Sequence, residues 1–150
     1  MSGSIIHTPY DLGLGISLGD KREANATGTC YIQTGAGGIA LLWEVVRAPK
    51  SLLLITFDRC EVIRELDETW LSIETNSERW VGIDGSFART VQGGEFPTSR
   101  ENMEMITGPV THFQFVTMGS CVDILSQCKP KARFVELSDL KEYRLGYLAP

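Results

Sequence analysis

One histidine of this chain lies in a segment suited to acid–base chemistry. His112 and Gln114 alternate in a β-prone segment, so their side chains are expected on one face of a strand. A histidine at the mouth of a pocket acts as a general base when its surroundings hold it ready for proton transfer. We name Asp84 and Glu61 as candidate acids beside it. The competing interpretation is a structural histidine that only makes a hydrogen bond.

Short catalytic and metal-binding motifs are absent from the sequence. It contains no Gly-x-Ser-x-Gly, no His-Glu-x-x-His and no phosphate-binding loop. The cysteines, Cys30, Cys60, Cys121 and Cys128, show no Cys-x-x-Cys spacing. We therefore expect no metal and no cofactor. Cys121 and Cys128 are interpreted as small, half-buried side chains, with a disulfide or half of a metal site as the alternative.

A glycine-rich turn is the one segment that suggests phosphate binding. Residues 34–40 read Thr-Gly-Ala-Gly-Gly-Ile-Ala, which resembles the glycine turn of short-chain dehydrogenases. The resemblance implies a strand at 28–33, a helix at 39–48 and a phosphate at the start of that helix. The nucleotide-binding residues that it implies are Gly35, Gly37, Gly38 and Asp58.

A β-hairpin is the interpretation that we favour for the same segment. The strand at 28–33 is too polar for the centre of a parallel sheet. No tyrosine is followed by a lysine four positions later, as that enzyme family requires, and 150 residues are too few for such an enzyme. We predict antiparallel strands at 29–33 and 39–47, joined by the glycine turn. A helix at 39–48 would instead favour an α+β fold.

Aromatic residues suggest that the protein binds a partner or an apolar ligand. Trp70 and Trp80 occupy matching positions in two Trp-x-x-Ile-acid segments, which predicts a β-hairpin over residues 69–84. Large aromatic side chains anchor protein interfaces and line apolar cavities, and they also fill cores. The residues on which we base a binding hypothesis are Trp43, Trp70, Trp80, Phe113 and Phe115.

The charge balance argues against nucleic acid as a partner. The chain has 19 acidic and 14 basic residues, a net charge of −5, and its one basic cluster, at 129–133, is broken by a proline. It has no apolar run of the ~20 residues that a membrane span needs. No signal peptide is recognisable, so we expect a cytoplasmic protein with a flexible leader at residues 1–4.

Turn spacing predicts the fold class. Strands are expected at 51–57, 112–117, 121–126 and 132–137, a spacing typical of a sandwich or barrel. Helices are expected at 58–68, from an apolar stripe and an Arg64–Glu68 pair, and at 100–106, from a capping box. The polar stretch at 85–109 is interpreted as a long surface loop or lid.

These observations lead to one fold prediction and three functional hypotheses. We predict a single, mainly β domain over residues 1–150, an antiparallel sandwich or barrel of roughly seven to nine strands with one or two short helices. The leading hypothesis is a non-catalytic module that binds a protein partner or a small apolar ligand through an aromatic-bearing β surface and the loop at 85–109. The alternatives are a small β-barrel enzyme (isomerase, cyclase or hydrolase) and, more weakly, a nucleotide-binding protein. The sequence leaves open whether the chain forms a homo-oligomer.

Overall fold

The computed structural model describes residues 5–15, 24–34, 37–45, 51–67, 86–93, 100–117, 120–136 and 138–139. The predicted leader at 1–4 and the predicted hairpin at 69–84 lie outside these ranges. Four of the candidate site residues therefore fall outside the described part of the chain: Gly35, Trp70, Trp80 and Asp84.

Strands dominate the described part of the chain. They are β1 (Ile6–Pro9), β2 (Ala24–Thr34), β3 (Gly38–Val45), β4 (Leu52–Phe57), β5 (Val62–Asp67), β6 (Ala88–Gln92), β7 (Thr111–Val116), β8 (Ser120–Ser126) and β9 (Lys131–Val135). A short helix, α1 (Arg100–Thr107), lies between β6 and β7.

The strands form two antiparallel sheets that pack against each other. One has five strands in the order β1-β6-β7-β8-β5, and the other has four in the order β2-β3-β4-β9. Within the described residues neither sheet closes into a barrel. The predicted mainly β antiparallel sandwich or barrel is therefore confirmed as a sandwich, and the α+β alternative is wrong.

The core lies between the sheets because strands of both sheets turn apolar side chains inward. The apolar run of β4 is buried on both faces, as predicted: Leu53 and Ile55 face the other sheet, whereas Leu54 packs on the opposite side of its own sheet. Phe113 and Phe115 of β7 enter the same core from the five-stranded sheet.

The glycine turn connects two antiparallel strands, as we favoured. Thr34 of β2 pairs with Gly38 of β3, which leaves three residues between them. The last of these, Gly37, has φ +83°, a left-handed conformation that closes three-residue hairpins. Residues 38–45 are strand because nearly all of their side chains are buried between or against neighbouring strands. The helix implied at 39–48 by the dehydrogenase resemblance is therefore wrong.

The helix predicted at 58–68 is also wrong, because residues 62–67 form β5. Its partner is β8, with Ile63 opposite Ile124 and Arg64 opposite Asp123. An Arg–Glu pair on a helix surface is worth only about 0.3–0.5 kcal/mol. Long-range pairing and burial along β8 outweigh that local preference.

Part of the stretch at 85–109, which we predicted as a surface loop or lid, belongs to the five-stranded sheet. Residues 88–92 form β6, which pairs with both β1 and β7 and contributes the buried Ala88 and Val91 to the sheet. The helix predicted at 100–106 is confirmed as α1. Gly108, with φ +88°, ends it and donates its N–H to the carbonyl of Glu104 at 2.9 Å.

Candidate functional site

A row of polar side chains crosses the outer face of the five-stranded sheet, the face turned away from the four-stranded sheet. Strand register places Arg89 of β6 opposite Gln114 of β7, Gln114 opposite Asp123 of β8, and Asp123 opposite Arg64 of β5. Side chains alternate between the faces of a strand, so these four lie on one face while Phe113 and Phe115 face the core. We call these four residues and His112 the polar row.

Asp123 is the centre of the polar row. Its side chain is 0% exposed. The oxygen Oδ1 lies 2.8 Å from Nε2 of His112 and accepts a hydrogen bond from Nε2 of Gln114 at 2.9 Å. The oxygen Oδ2 accepts from Nη2 of Arg64 at 2.9 Å and from its Nε at 3.2 Å. A buried carboxylate is tolerated only with such charged and hydrogen-bonding partners.

The surroundings of the polar row are apolar. Val91 and Leu125 face His112 from the strands on either side of it, and Val116 faces Cys121 at the other end of the row. His112 is 4% exposed and Arg89 is 1% exposed. The contacts of Asp123 with His112 and Gln114 therefore lie in a poorly hydrated environment, where they are stronger than at the surface, whereas the Arg64 side chain is 35% exposed.

The carboxylate that contacts His112 is neither of the two that we named. Glu61 pairs with Arg59 beside the start of β5, and Asp84 lies outside the described residues. An ionised Asp123 can only accept, so Nε2 of His112 carries the proton in their hydrogen bond. A histidine oriented by a carboxylate is an arrangement that acid–base enzymes use. The burial of His112 limits the access of a substrate to it.

One sequence signal could have identified Asp123. It is the one charged residue in the strand Ser-Cys-Val-Asp-Ile-Leu-Ser, and it alternates with Val122 and Ile124. A charge inside an apolar strand needs a partner on its own face, and β7 offers His112 and Gln114 at the same alternation. The contribution of Arg64 was hidden by its assignment to a helix.

The three described aromatic residues of the binding hypothesis lie in the core. Trp43, Phe113 and Phe115 are all nearly inaccessible to solvent. The rings of Trp43 and Phe115 have centroids 5.4 Å apart, and Phe57 lies 5.4 Å from Phe113. These rings stabilise the interior by packing together. They do not form the exposed aromatic surface that we expected.

The described nucleotide-binding candidates do not form a phosphate site. The carbonyl of Gly37 accepts the N–H of Cys60 at 2.9 Å, and Gly38 is buried at the start of β3. Asp58 is exposed and pairs with Nζ of Lys131 at 2.9 Å. The resemblance relied on a helix N-terminus to hold the phosphate, and a strand occupies that position.

The surroundings of Cys60 disfavour its thiolate form. Burial, and secondarily the charge of Glu61, raise the pKa of Cys60 to about 11, although a hydrogen bond with the backbone of Val62 acts in the opposite direction. Cys121 and Cys128 do not form a disulfide with each other. Strand β8 carries the chain from Cys121 to Ser126, an extended span of roughly 16 Å, so the two residues before Cys128 cannot bring the thiols within reach of an S–S bond.

Exposed apolar side chains occur at one end of the five-stranded sheet. Met105 and Ile106, in the last turn of α1, are 85% and 88% exposed, and Ile6 of β1 is 50% exposed. Ile6 pairs with Gln92, the residue at which β6 ends, and α1 leads from that end into β7 at Thr111. The connection that contains α1 therefore starts and finishes at the end of the sheet where Ile6 lies, and we call these three side chains the apolar end.

Comparisons with protein-family models, curated proteins and solved structures found no match. Among the described residues, no helix is long and apolar enough to cross a membrane. Within the same residues, no group of three or more His, Cys, Asp and Glu side chains is placed to hold a metal ion. The geometry of this chain therefore carries the functional argument alone.

Proposed function

We propose that this chain is a non-catalytic binding module that recognises a protein partner through the apolar end. The observation that supports this is the exposure of Met105 and Ile106, 85% and 88%; the other large apolar side chains whose burial the structure describes, Ile6 apart, are buried or half-buried. Both lie within the stretch at 85–109, which we expected to take part in binding.

The chemistry of the two side chains suits recognition. Methionine is flexible and polarisable, and it fits irregular apolar surfaces on a partner. Removing a methionine or isoleucine side chain from water contributes about 1.5–3 kcal/mol. Two adjacent side chains of this kind are enough for a binding hot spot, provided that a polar rim excludes water around them.

Affinity capture with a double variant tests the proposal. Wild-type protein, Met105→Ser/Ile106→Ser and Arg133→Ser are immobilised and exposed to lysate, and each retained protein is then purified and titrated directly. Arg133 is an exposed residue of β9 in the other sheet, so its variant controls for a general change in surface. We expect the double variant to weaken binding at least about tenfold and the control to leave it unchanged. No retained protein, or one that binds the double variant as tightly, contradicts the proposal.

An acid–base enzyme is the second candidate, because Nε2 of His112 lies 2.8 Å from Oδ1 of Asp123. The two candidates differ in their dependence on His112. Hydrolysis of p-nitrophenyl acetate by the wild type and by His112→Gln gives a direct comparison. A rate that falls to background in a variant that stays folded favours the enzyme. Equal rates remove His112 from catalysis of this reaction class.

A further inference from the structure

We propose that Met105 is a site of reversible oxidation, at which a peroxide converts its thioether to the sulfoxide and weakens binding at the apolar end. The site of oxidation is inferred from the exposure and position of Met105 and from the chemistry of its thioether. Its effect on binding rests on the proposed function.

Four sulfur-bearing side chains have a described burial, and Met105 is the most exposed of them. Its side chain is 85% exposed, whereas Cys121 is fully buried and Cys60 and Cys128 are half-buried. Thioether oxidation needs only that a peroxide reaches the sulfur. The last turn of α1 presents this sulfur to solvent next to Ile106, within the apolar end.

The chemistry favours the thioether over the thiol of Cys60. Peroxides attack a cysteine as its thiolate, and the pKa of Cys60, raised to about 11, leaves very little thiolate at neutral pH. A methionine has no proton to lose, so its reactivity does not depend on such a shift.

The reaction is a two-electron oxygen transfer. The sulfur of Met105 donates an electron pair to one oxygen of hydrogen peroxide, a sulfur–oxygen bond forms and the O–O bond breaks. The other oxygen leaves as water after taking up the proton of the transferred oxygen. The sulfur is oxidised and the peroxide is reduced. The sulfoxide places a polar, chiral group where an apolar side chain stood, and methionine sulfoxide reductases reverse the change.

The first arm of the test measures oxidation without any partner. Folded protein is treated with hydrogen peroxide at pH 7, and fragment mass spectra assign each added oxygen to a residue. We expect Met105 to be oxidised before Cys60 and Cys121. The same treatment in urea is the control, since unfolding removes the protection of both thiols. An unmodified Met105, or earlier oxidation of either thiol in the folded protein, overturns the inference.

The second arm measures binding of the retained protein by direct titration. Oxidised wild type is expected to bind about tenfold more weakly than the reduced form, and sulfoxide reductase should restore it. Met105→Leu keeps an apolar side chain that peroxide does not oxidise, so its binding should resist the treatment. Equal binding by reduced and oxidised wild type overturns the regulatory effect while the proposed function stands. If reduced protein binds no partner, the proposed function and the regulation both fail, and the oxidation result stands alone.

Discussion

At the scale of single residues, the protein keeps a carboxylate in its interior by surrounding it with donors. Asp123 accepts from Arg64 on β5 and from His112 and Gln114 on β7, the strands on either side of its own. Such a group contributes little net stability compared with an apolar residue of the same shape, but removing its charge leaves its partners unmatched. The polar row also fixes the register of β5, β7 and β8, because a shift by one residue would turn Asp123 toward the aromatic core.

Asp123→Asn is expected to destabilise the fold strongly. The amide cannot compensate the charge of Arg64. Its NH₂ group, itself a donor, would also face one of the donors that hydrogen-bond to the carboxylate in the wild type. We expect a loss of about 3 kcal/mol in the free energy of unfolding, measured in urea. Asp58→Asn is the matched control, since Asp58 pairs with Lys131 in solvent and should change stability by less than about 1 kcal/mol. Equal effects of the two substitutions would contradict the role of the polar row.

The raised pKa of Cys60 predicts that the free energy of unfolding falls at alkaline pH. Its pKa is raised to about 11 in the folded chain, above the ordinary value of 9.0, so folding favours the protonated thiol. Its contribution to stability is complete below pH 9 and is lost as the pH rises toward 11. The free energy of unfolding of the wild type should therefore fall more steeply over that range than that of Cys60→Ser.

Alkylation gives an independent measurement of the same thiol. At pH 8 Cys60 holds roughly a hundredfold less thiolate than an unperturbed cysteine, so iodoacetamide should label it slowly in the folded protein. Labelling should accelerate up to about pH 11. Fast labelling at pH 8, with the protein folded by circular dichroism, would contradict the raised pKa.

At the scale of elements, the glycine turn shows how the structure of a motif depends on the residues after it. Gly37 and Gly38 suit a phosphate loop and a hairpin equally well, and the apolar residues of β3 decide between them. Their side chains alternate between two buried faces, which a strand between β2 and β4 satisfies. The polarity of the preceding strand favoured the hairpin from the sequence alone.

Gly37→Ala is expected to weaken this hairpin through backbone strain only. The φ of +83° is unfavourable for an L-residue, and a Cβ there would meet no atom within 4 Å. The expected loss is about 1–2 kcal/mol, with a smaller loss for Gly37→Asn because asparagine tolerates the left-handed region better. Thermal unfolding of both variants checks the order, and an alanine variant as stable as the wild type would exclude the strain.

The helix predicted in place of β5 illustrates the limit of local patterns. Residues 58–68 carry both a helical apolar stripe and alternating residues, and local energies of a few tenths of a kcal/mol favour the helix. The strand is selected over the helix because Ile124 and Asp123, about sixty positions later, belong to the strand that pairs with it. No local pattern contains that information. By contrast, the strands at 51–57, 112–117 and 121–126 were predictable because their apolar residues and turns are contiguous.

At the scale of the whole molecule, buried and exposed apolar side chains have different roles. Phe115 packs against Trp43, Phe57 and Phe87 within the core, whereas Ile106 lies in solvent at the apolar end. The sequence alone could not separate these roles, since it offered Phe113 and Phe115 as binding residues. Their burial results from the second sheet, which the strand pattern did not locate.

A pair of alanine substitutions measures this difference. Phe115→Ala should lower the free energy of unfolding by about 3–5 kcal/mol, because it leaves a cavity in a packed core. Ile106→Ala should change it by no more than about 0.5 kcal/mol. A large loss from Ile106→Ala would mean that the side chain supports the fold and would weaken the case for the apolar end as a binding surface.

The strand order also sets how the chain reaches this structure. β2, β3 and β4 pair with their neighbours in sequence, as do β6, β7 and β8, so each group can form as a local meander. β1, β5 and β9 join their sheets through partners far along the chain: Ile6 with Gln92, Val62 with Leu125, and Leu52 with Val135. Long loops must close before those contacts form, which gives a high contact order and places folding in the millisecond-to-second range typical of β-sandwiches. Pulsed hydrogen exchange during refolding should accordingly protect amides of β3 and β7 before those of β1 and β9.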